Sequence, residues 1–136
     1  MPPDEHRAAV VLRAAADRPS GERVAADLGR SAPGTRFVAV VVRRDAADLR
    51  GLLTGLRPVA AEVVLAGAAG PGDDPDAAVE VAGQDFAFEI PVLRDAMEWA
   101  IEAAGRQDIT GSAVLVVGTA GTLAAVRGGL RARARG

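Results

Sequence analysis

Arg36-Phe37-Val38-Ala39-Val40-Val41-Val42 is the stretch on which the fold turns. Six consecutive apolar residues, four of them valine, show none of the apolar/polar alternation expected of a strand with one wet face. Such a run suits a strand covered on both sides, the situation of a parallel sheet with helices packed on each face. Arg43 and Arg44 end it. On the C-terminal side Asp45 is the expected N-cap of a helix whose Leu49, Leu52, Leu53 and Leu56 follow an i, i+3, i+4, i+7 stripe, with Pro58 after its end.

The same alternation of elements extends in both directions. Upstream, Ala9–Leu12 predicts a short strand, Asp17 to Gly21 a turn-rich stretch, and Ser20 the opening of a helix with Val24, Ala25 and Leu28 on one side. Gly29 to Gly34 closes it. Downstream, Glu62–Ala66 predicts a strand, Gly67–Asp74 a loop, and Asp76–Ala82 a helix with Asp74 as N-cap and Pro75 at its first position. Phe86–Ile90 is a weaker strand, Pro91 to Ala104 a helix, Ala113–Val117 a strand, and Gly118 to Thr122 leads into a helix bearing Leu123, Val126 and Leu130. The pattern predicts one α/β domain over 1–136: a doubly wound, mostly parallel open sheet with helices on both faces, of Rossmann-like architecture. Residues 1–7 and 131–136 are expected to be flexible termini.

Residue usage excludes much chemistry. The chain has 16 arginines but no lysine, cysteine or tyrosine, and one histidine, His6, in a polar N-terminal stub. Without lysine there is no complete Walker-type phosphate loop and no Schiff base. Without cysteine there is no thiol nucleophile, disulfide or zinc ribbon, and a lone histidine rules out a His-pair metal site. A net charge of −2 and few aromatics (Phe37, Phe86, Phe88, Trp99) give nucleic acid neither a field nor a stacking platform. No apolar run approaches the roughly 20 residues that span a bilayer. A cytoplasmic protein without a membrane or nucleic-acid partner is expected. The all-arginine, alanine-rich usage fits a GC-rich coding bias.

In sheets of this kind ligands bind beyond the carboxyl ends of the strands. The loops there are Arg13–Ser20, Arg43–Asp45, Gly67–Asp74, Pro91 and Gly118–Thr122. Gly118, Thr119, Gly121 and Thr122 are ligand-binding candidates, because glycines admit close backbone approach and N–H groups with hydroxyls at a helix start suit an anion. Arg43 and Arg44 are candidates for clamping a phosphate or carboxylate, although adjacent charges also mark a solvated strand end. Asp73, Asp74 and Asp76 lack the spacing of a calcium loop and read as turn chemistry. No metal site and no catalytic residue is expected. A response-regulator receiver is excluded: Leu65-Ala66 stands where its phosphorylated Asp would be, and there is no lysine.

From about Ala8 to Leu130 the chain resembles the C-terminal domain of the Mur-ligase superfamily, in its folylpolyglutamate synthase and dihydrofolate synthase branch. Val10 to Gly21 is similar to that family's strand followed by D-A-A-H-N-P-x-G; Asp48-Leu49 to Pro58 and Glu62-Val63-Val64-Leu65 to its D-K-D helix and E-V-V-L strand; Gly70-Pro71 and Asp74-Pro75 to its S-P-R-A-x-D-P loop; and Val114 to Arg127 to its closing V-L-V-T-G-S segment. The departures fall on the positions where the family holds nucleotide. Arg13 replaces the first Asp, and Ala16, Asp17 or Arg18 stands where the His-Asn pair would be, with Pro19 and Gly21 kept. Of D-K-D only Asp48 matches, after Ala46 and Ala47. Gly72 replaces an Arg, Gly118 is kept and Thr119 replaces Ser. Asp17 and Asp48 are therefore further ligand-binding candidates.

What the resemblance implies is a stand-alone domain, non-catalytic alone, that acts as a ligand-binding or protein-interaction module for a nucleotide, a folate-like ligand, another small anion or a partner protein. The alternative is a subunit of a split ATP-dependent amide (glutamate) ligase, with ATP as a cofactor only in the company of a catalytic partner chain.

Overall fold

The valine run is a strand over the predicted span, β2, Arg36–Val42. The computed structural model describes residues 9–67, 87–90, 92–106 and 112–135. Around β2 lie β1 (Ala9–Ala14), β3 (Ala60–Ala66), β4 (Ala87–Ile90) and β5 (Ser112–Gly118), in the order β1-β5-β2-β3-β4. Every pairing among these strands is parallel. The connections are α1 (Arg18–Ser31), a single 3-10 turn (Arg43–Asp45), α2 (Leu49–Leu56) and α3 (Leu93–Arg106), and α4 (Ala120–Arg135) follows β5. The expected doubly wound α/β sheet is the observed fold.

Strand periodicity divides the core in two. Phe37, Ala39 and Val41 of β2, Val63 and Leu65 of β3, and Leu115 and Val117 of β5 face α1 and α2, where Val24, Leu28, Leu52, Leu53 and Leu56 meet them. The intervening residues Val38, Val40, Val64, Val114 and Val116 face α3 and α4. That two-sided burial is why β2 shows no polar alternation: all its residues after Arg36 are buried.

Small residues set the helix layers. Ala96, Ala100 and Ala104 repeat every fourth residue on α3 and are buried against the sheet, which lets that helix lie close to the valines. On the other face α1 crosses α2 at Gly21 and Gly55. A Cβ on Gly55 would stand 2.8 Å from both Arg18 O and Glu22 N, so the two backbones touch.

Local differences from the sequence reading have local causes. β1 and β3 are longer than expected by two residues each, because their ends pair with β5 and β2. The third helix begins at Leu93 and continues to Arg106. Asp17 to Gly21 is not a turn. Asp17 caps α1, and Ser20 is its third residue. Asp45 does not cap α2; that position belongs to Asp48, whose Oδ1 accepts from Gly51 N at 3.1 Å. The predicted Asp76–Ala82 helix with its Asp74 cap, most of the Gly67–Asp74 loop, and Phe86, Pro91 and His6 lie outside the described residues.

Candidate functional site

β5 lies between β1 and β2, yet the helix after β5 packs on the opposite face from those after β1 and β2. The chain therefore leaves adjacent strands in opposite directions on both sides of β5, and a crevice opens at their carboxyl ends. Between the β1 and β5 loops it is a cleft of about 460 Å³. Ala15 and Ala16 and Gly118 line it, with Asp17, Ser20, Arg23 and Thr119 supplying the polar groups.

Its β1 wall is the start of α1. Ser20 N donates to Asp17 Oδ1 at 3.0 Å, Asp17 N donates to Ser20 Oγ at 3.1 Å, and the hydroxyl also donates to Oδ1 at 2.6 Å. This reciprocal capping box uses Ser at the position where Glu or Gln is usual. The Ser20 hydroxyl and then its N–H hold the Asp17 carboxyl below the ordinary aspartate value, with Arg23 adding to them against a small opposing effect of burial. Ala16 N also donates to Ser20 Oγ. Ala16 O accepts from Asp48 N at 2.9 Å, which ties the β1 loop to the start of α2.

The β5 wall is the start of α4. Thr119 occupies the N-cap position, since its carbonyl accepts from Leu123 N at 2.9 Å. Asp45, in the 3-10 turn after β2, reaches across: its Oδ2 accepts from Thr119 N at 3.1 Å and from Thr119 Oγ1 at 3.2 Å. Thr119 Oγ1 lies 3.2 Å from Thr122 Oγ1, and Thr122 N donates to it at 3.4 Å. Partial burial pushes the Asp45 carboxyl up, but the Thr122 hydroxyl, the Thr119 N–H and hydroxyl, and nearby Arg44 outweigh it and leave it lowered. Gly118 makes room for this contact, because a Cβ there would lie 3.1 Å from Asp45 Oδ2.

The structure brings Asp17, Gly118 and Thr119 together around the cleft. Gly121 and Thr122 lie in the first turn of α4, Gly121 exposed, with nothing within 4 Å of where its Cβ would be. Asp48 stands apart as the cap of α2. Arg43 and Arg44 do not act as a pair: Arg43 is 3% exposed, the one buried charged side chain among the described residues, while Arg44 is exposed. Arg13, at the end of β1, donates to Leu12 O and lies 3.7 Å from Asp27. Sequence reasoning missed the reach of Asp45 to α4 and the place of Arg23 on the cleft wall. The Asp17-x-x-Ser20 spacing could have revealed the capping box.

Among the described residues, three carboxylates thus sit on helix starts: Asp17 on α1, Asp48 on α2 and Asp45 on α4. No group of three or more potential metal ligands occurs among the described residues, and none of their helices is long and apolar enough to cross a membrane.

This geometry defines a doubly wound α/β domain with polar groups turned onto its own backbone. Comparison with solved structures places the fold more narrowly. A Mycobacterium tuberculosis folylpolyglutamate synthase complexed with ADP superposes with a TM-score of 0.66 at 26% identity, over 87% of this chain and 29% of that one. E. coli FolC in complex with ADP, without folate substrate, gives 0.69 at 24% identity, over 93% and 30%. A bifunctional folylpolyglutamate synthase/dihydrofolate synthase from Yersinia pestis, complexed with AMPPNP and Mn ion, gives 0.65 at 20% identity, over 90% and 28%. The chain is therefore similar in structure to a single domain of these ligases and spans less than a third of their length. No protein-family model matches the sequence, and no curated protein matches it.

Proposed function

We propose that this chain is a non-catalytic, ligase-domain-like interaction module of the cytoplasm, rather than a phosphoryl-transfer enzyme in its own right. The observation that carries this reading is the Asp45 carboxylate on the N–H and hydroxyl of Thr119. The place where a helix start would receive a ligand's phosphate already holds a negative charge. A second anion there would have to displace Asp45 or meet its repulsion. The residues around the cleft support the same reading. Asp17 is engaged with Ser20, and among the described residues lining the cleft no lysine or histidine accompanies Arg23. Formation of an acyl phosphate from ATP needs positioned cations around the transferring group, and a single exposed arginine is a poor substitute for them.

A second reading rests on coverage. The chain corresponds to 28–30% of the ligases it superposes on, so it would act with a chain supplying the remaining domains, and ATP would enter only with that partner.

Purified chain incubated with ATP, magnesium, glutamate and a folate-type acid is expected to release no phosphate above the blank. Its melting temperature should not move with ADP or inorganic phosphate, whereas a ligand at about 100 times its Kd would add about 2.7 kcal/mol of stability. Turnover by the chain alone, or a saturable shift with either anion, overturns the first reading. Turnover that appears only on adding a chain with the remaining ligase domains supports the second.

A further inference from the structure

On the sheet face opposite α1 and α2, the other two helices of the described residues, α3 and α4, lie side by side with contrasting charge. Asp95, Glu98 and Glu102 of α3, spaced i, i+3, i+7, are all exposed and form an acidic stripe. Helix α4 contains no acidic residue, and its Arg127 and Arg131 are exposed. Between the helices runs a groove of about 400 Å³ floored by Leu93, Met97, Val126 and Leu130, with Arg94, an exposed cation beside the acidic stripe, on its α3 wall and Ala125 and Gly129 on its α4 wall. The exposed side of α4 is low as well. Gly121, Ala124, Ala125, Gly128 and Gly129 are exposed and none carries more than a methyl, so another helix can come close to its backbone.

We propose that this face docks a second copy of the chain, about a two-fold axis running along the groove. That axis sets α3 of each copy on α4 of the other. The acidic stripe then meets Arg127 and Arg131 twice over, by symmetry, and the small residues of α4 receive the α3 ridge. Charge complementarity singles out a second copy as occupant. A wholly acidic partner would be repelled by α3 and a wholly basic one by α4, while the face is complementary to itself when the helices exchange. Helices of 14 and 16 residues present a patch on the order of 20 Å on a side. That is at the small end for specific interfaces, so the dimer is of the weak, reversible class.

Sedimentation velocity on the full chain, across micromolar to submillimolar concentration, tests this. A monomer–dimer equilibrium that weakens with added salt is expected. One variant combines Arg127→Glu with Arg131→Glu, and another combines Asp95→Arg with Glu98→Arg. Each should self-associate at least about tenfold more weakly than the parent, with an unchanged circular dichroism spectrum because all four residues are exposed. Mixed together, the two variants should regain the parental affinity, since each then offers the charges the other lacks. Ala125→Arg, which fills the groove, should also abolish the dimer. A chain that stays monomeric throughout, a dimer indifferent to the reversals, or a mixture that does not regain affinity overturns the proposal.

Discussion

Asp45 Oδ2 lies 3.1 Å from the backbone nitrogen of Thr119, a residue 74 positions later in the chain. This bond fastens the turn after β2 to the start of α4, across the neighbouring end of β5. A carboxylate on the first N–H of a helix gains from both the hydrogen bond and the helix dipole. Asp45→Ala should therefore lower stability by about 1 kcal/mol, and Asp45→Asn by less, because an amide oxygen can still accept from Thr119. Urea unfolding followed by circular dichroism checks the order of the two variants. Equal losses would mean that a neutral acceptor contributes nothing there and that the whole effect lies in the charge.

Acid should weaken the fold through the same groups. The carboxyls of Asp17 and Asp45 are both held below the ordinary aspartate value, 3.8. On acidification the unfolded chain takes up these protons first, so their stabilising effect is complete above the unfolded pKa and is lost as pH falls through the folded pKa. With respect to these two groups, the urea midpoint should be nearly level between roughly pH 7 and 5 and should decline below about 4. The double variant Asp17→Asn, Asp45→Asn should decline less steeply. An identical slope in parent and variant would contradict this assignment.

The strands were the legible part of the sequence, because burial on two faces leaves a local mark: an unbroken apolar run such as 37–42 can be read without knowing its neighbours. The leucine stripe of α2 was legible for the same reason. What caps that helix was not, since Asp45 and Asp48 both precede Leu49 and only the distant Thr119 draws Asp45 away. Nor could the sequence show that β5 inserts between β1 and β2, which is what creates the cleft. The Arg43-Arg44 pair illustrates the limit on side chains. Two adjacent arginines look equivalent in sequence, but the turn after β2 buries one and exposes the other.

Core packing gives a direct measure of how much the inner strand β5 contributes. Leu115 is wholly buried on β5, in the cluster that faces α1 and α2. Leu115→Ala removes buried methyl groups and leaves a cavity between sheet and helices that cannot fully close. The expected loss is about 2–5 kcal/mol, read from the urea midpoint at unchanged m-value. A loss below about 1 kcal/mol would mean that the layers collapse onto the gap.

Glycines in the helices should divide by what surrounds them. At Gly55 a Cβ would be 2.8 Å from Arg18 O and Glu22 N and 3.1 Å from the Gly21 carbonyl carbon, all main-chain atoms that move only with the helix that carries them. Gly55→Ala should force α1 and α2 apart and lower stability by about 1–3 kcal/mol. At Gly128, in the exposed middle of α4, nothing lies within 4 Å. There Ala removes backbone freedom from the unfolded chain without a clash, and Gly128→Ala should raise stability by about 0.5–1 kcal/mol. Thermal melts of the two variants should therefore move in opposite directions from the parent. A Gly55→Ala protein as stable as the parent would show that the close helix crossing is not a requirement of the fold.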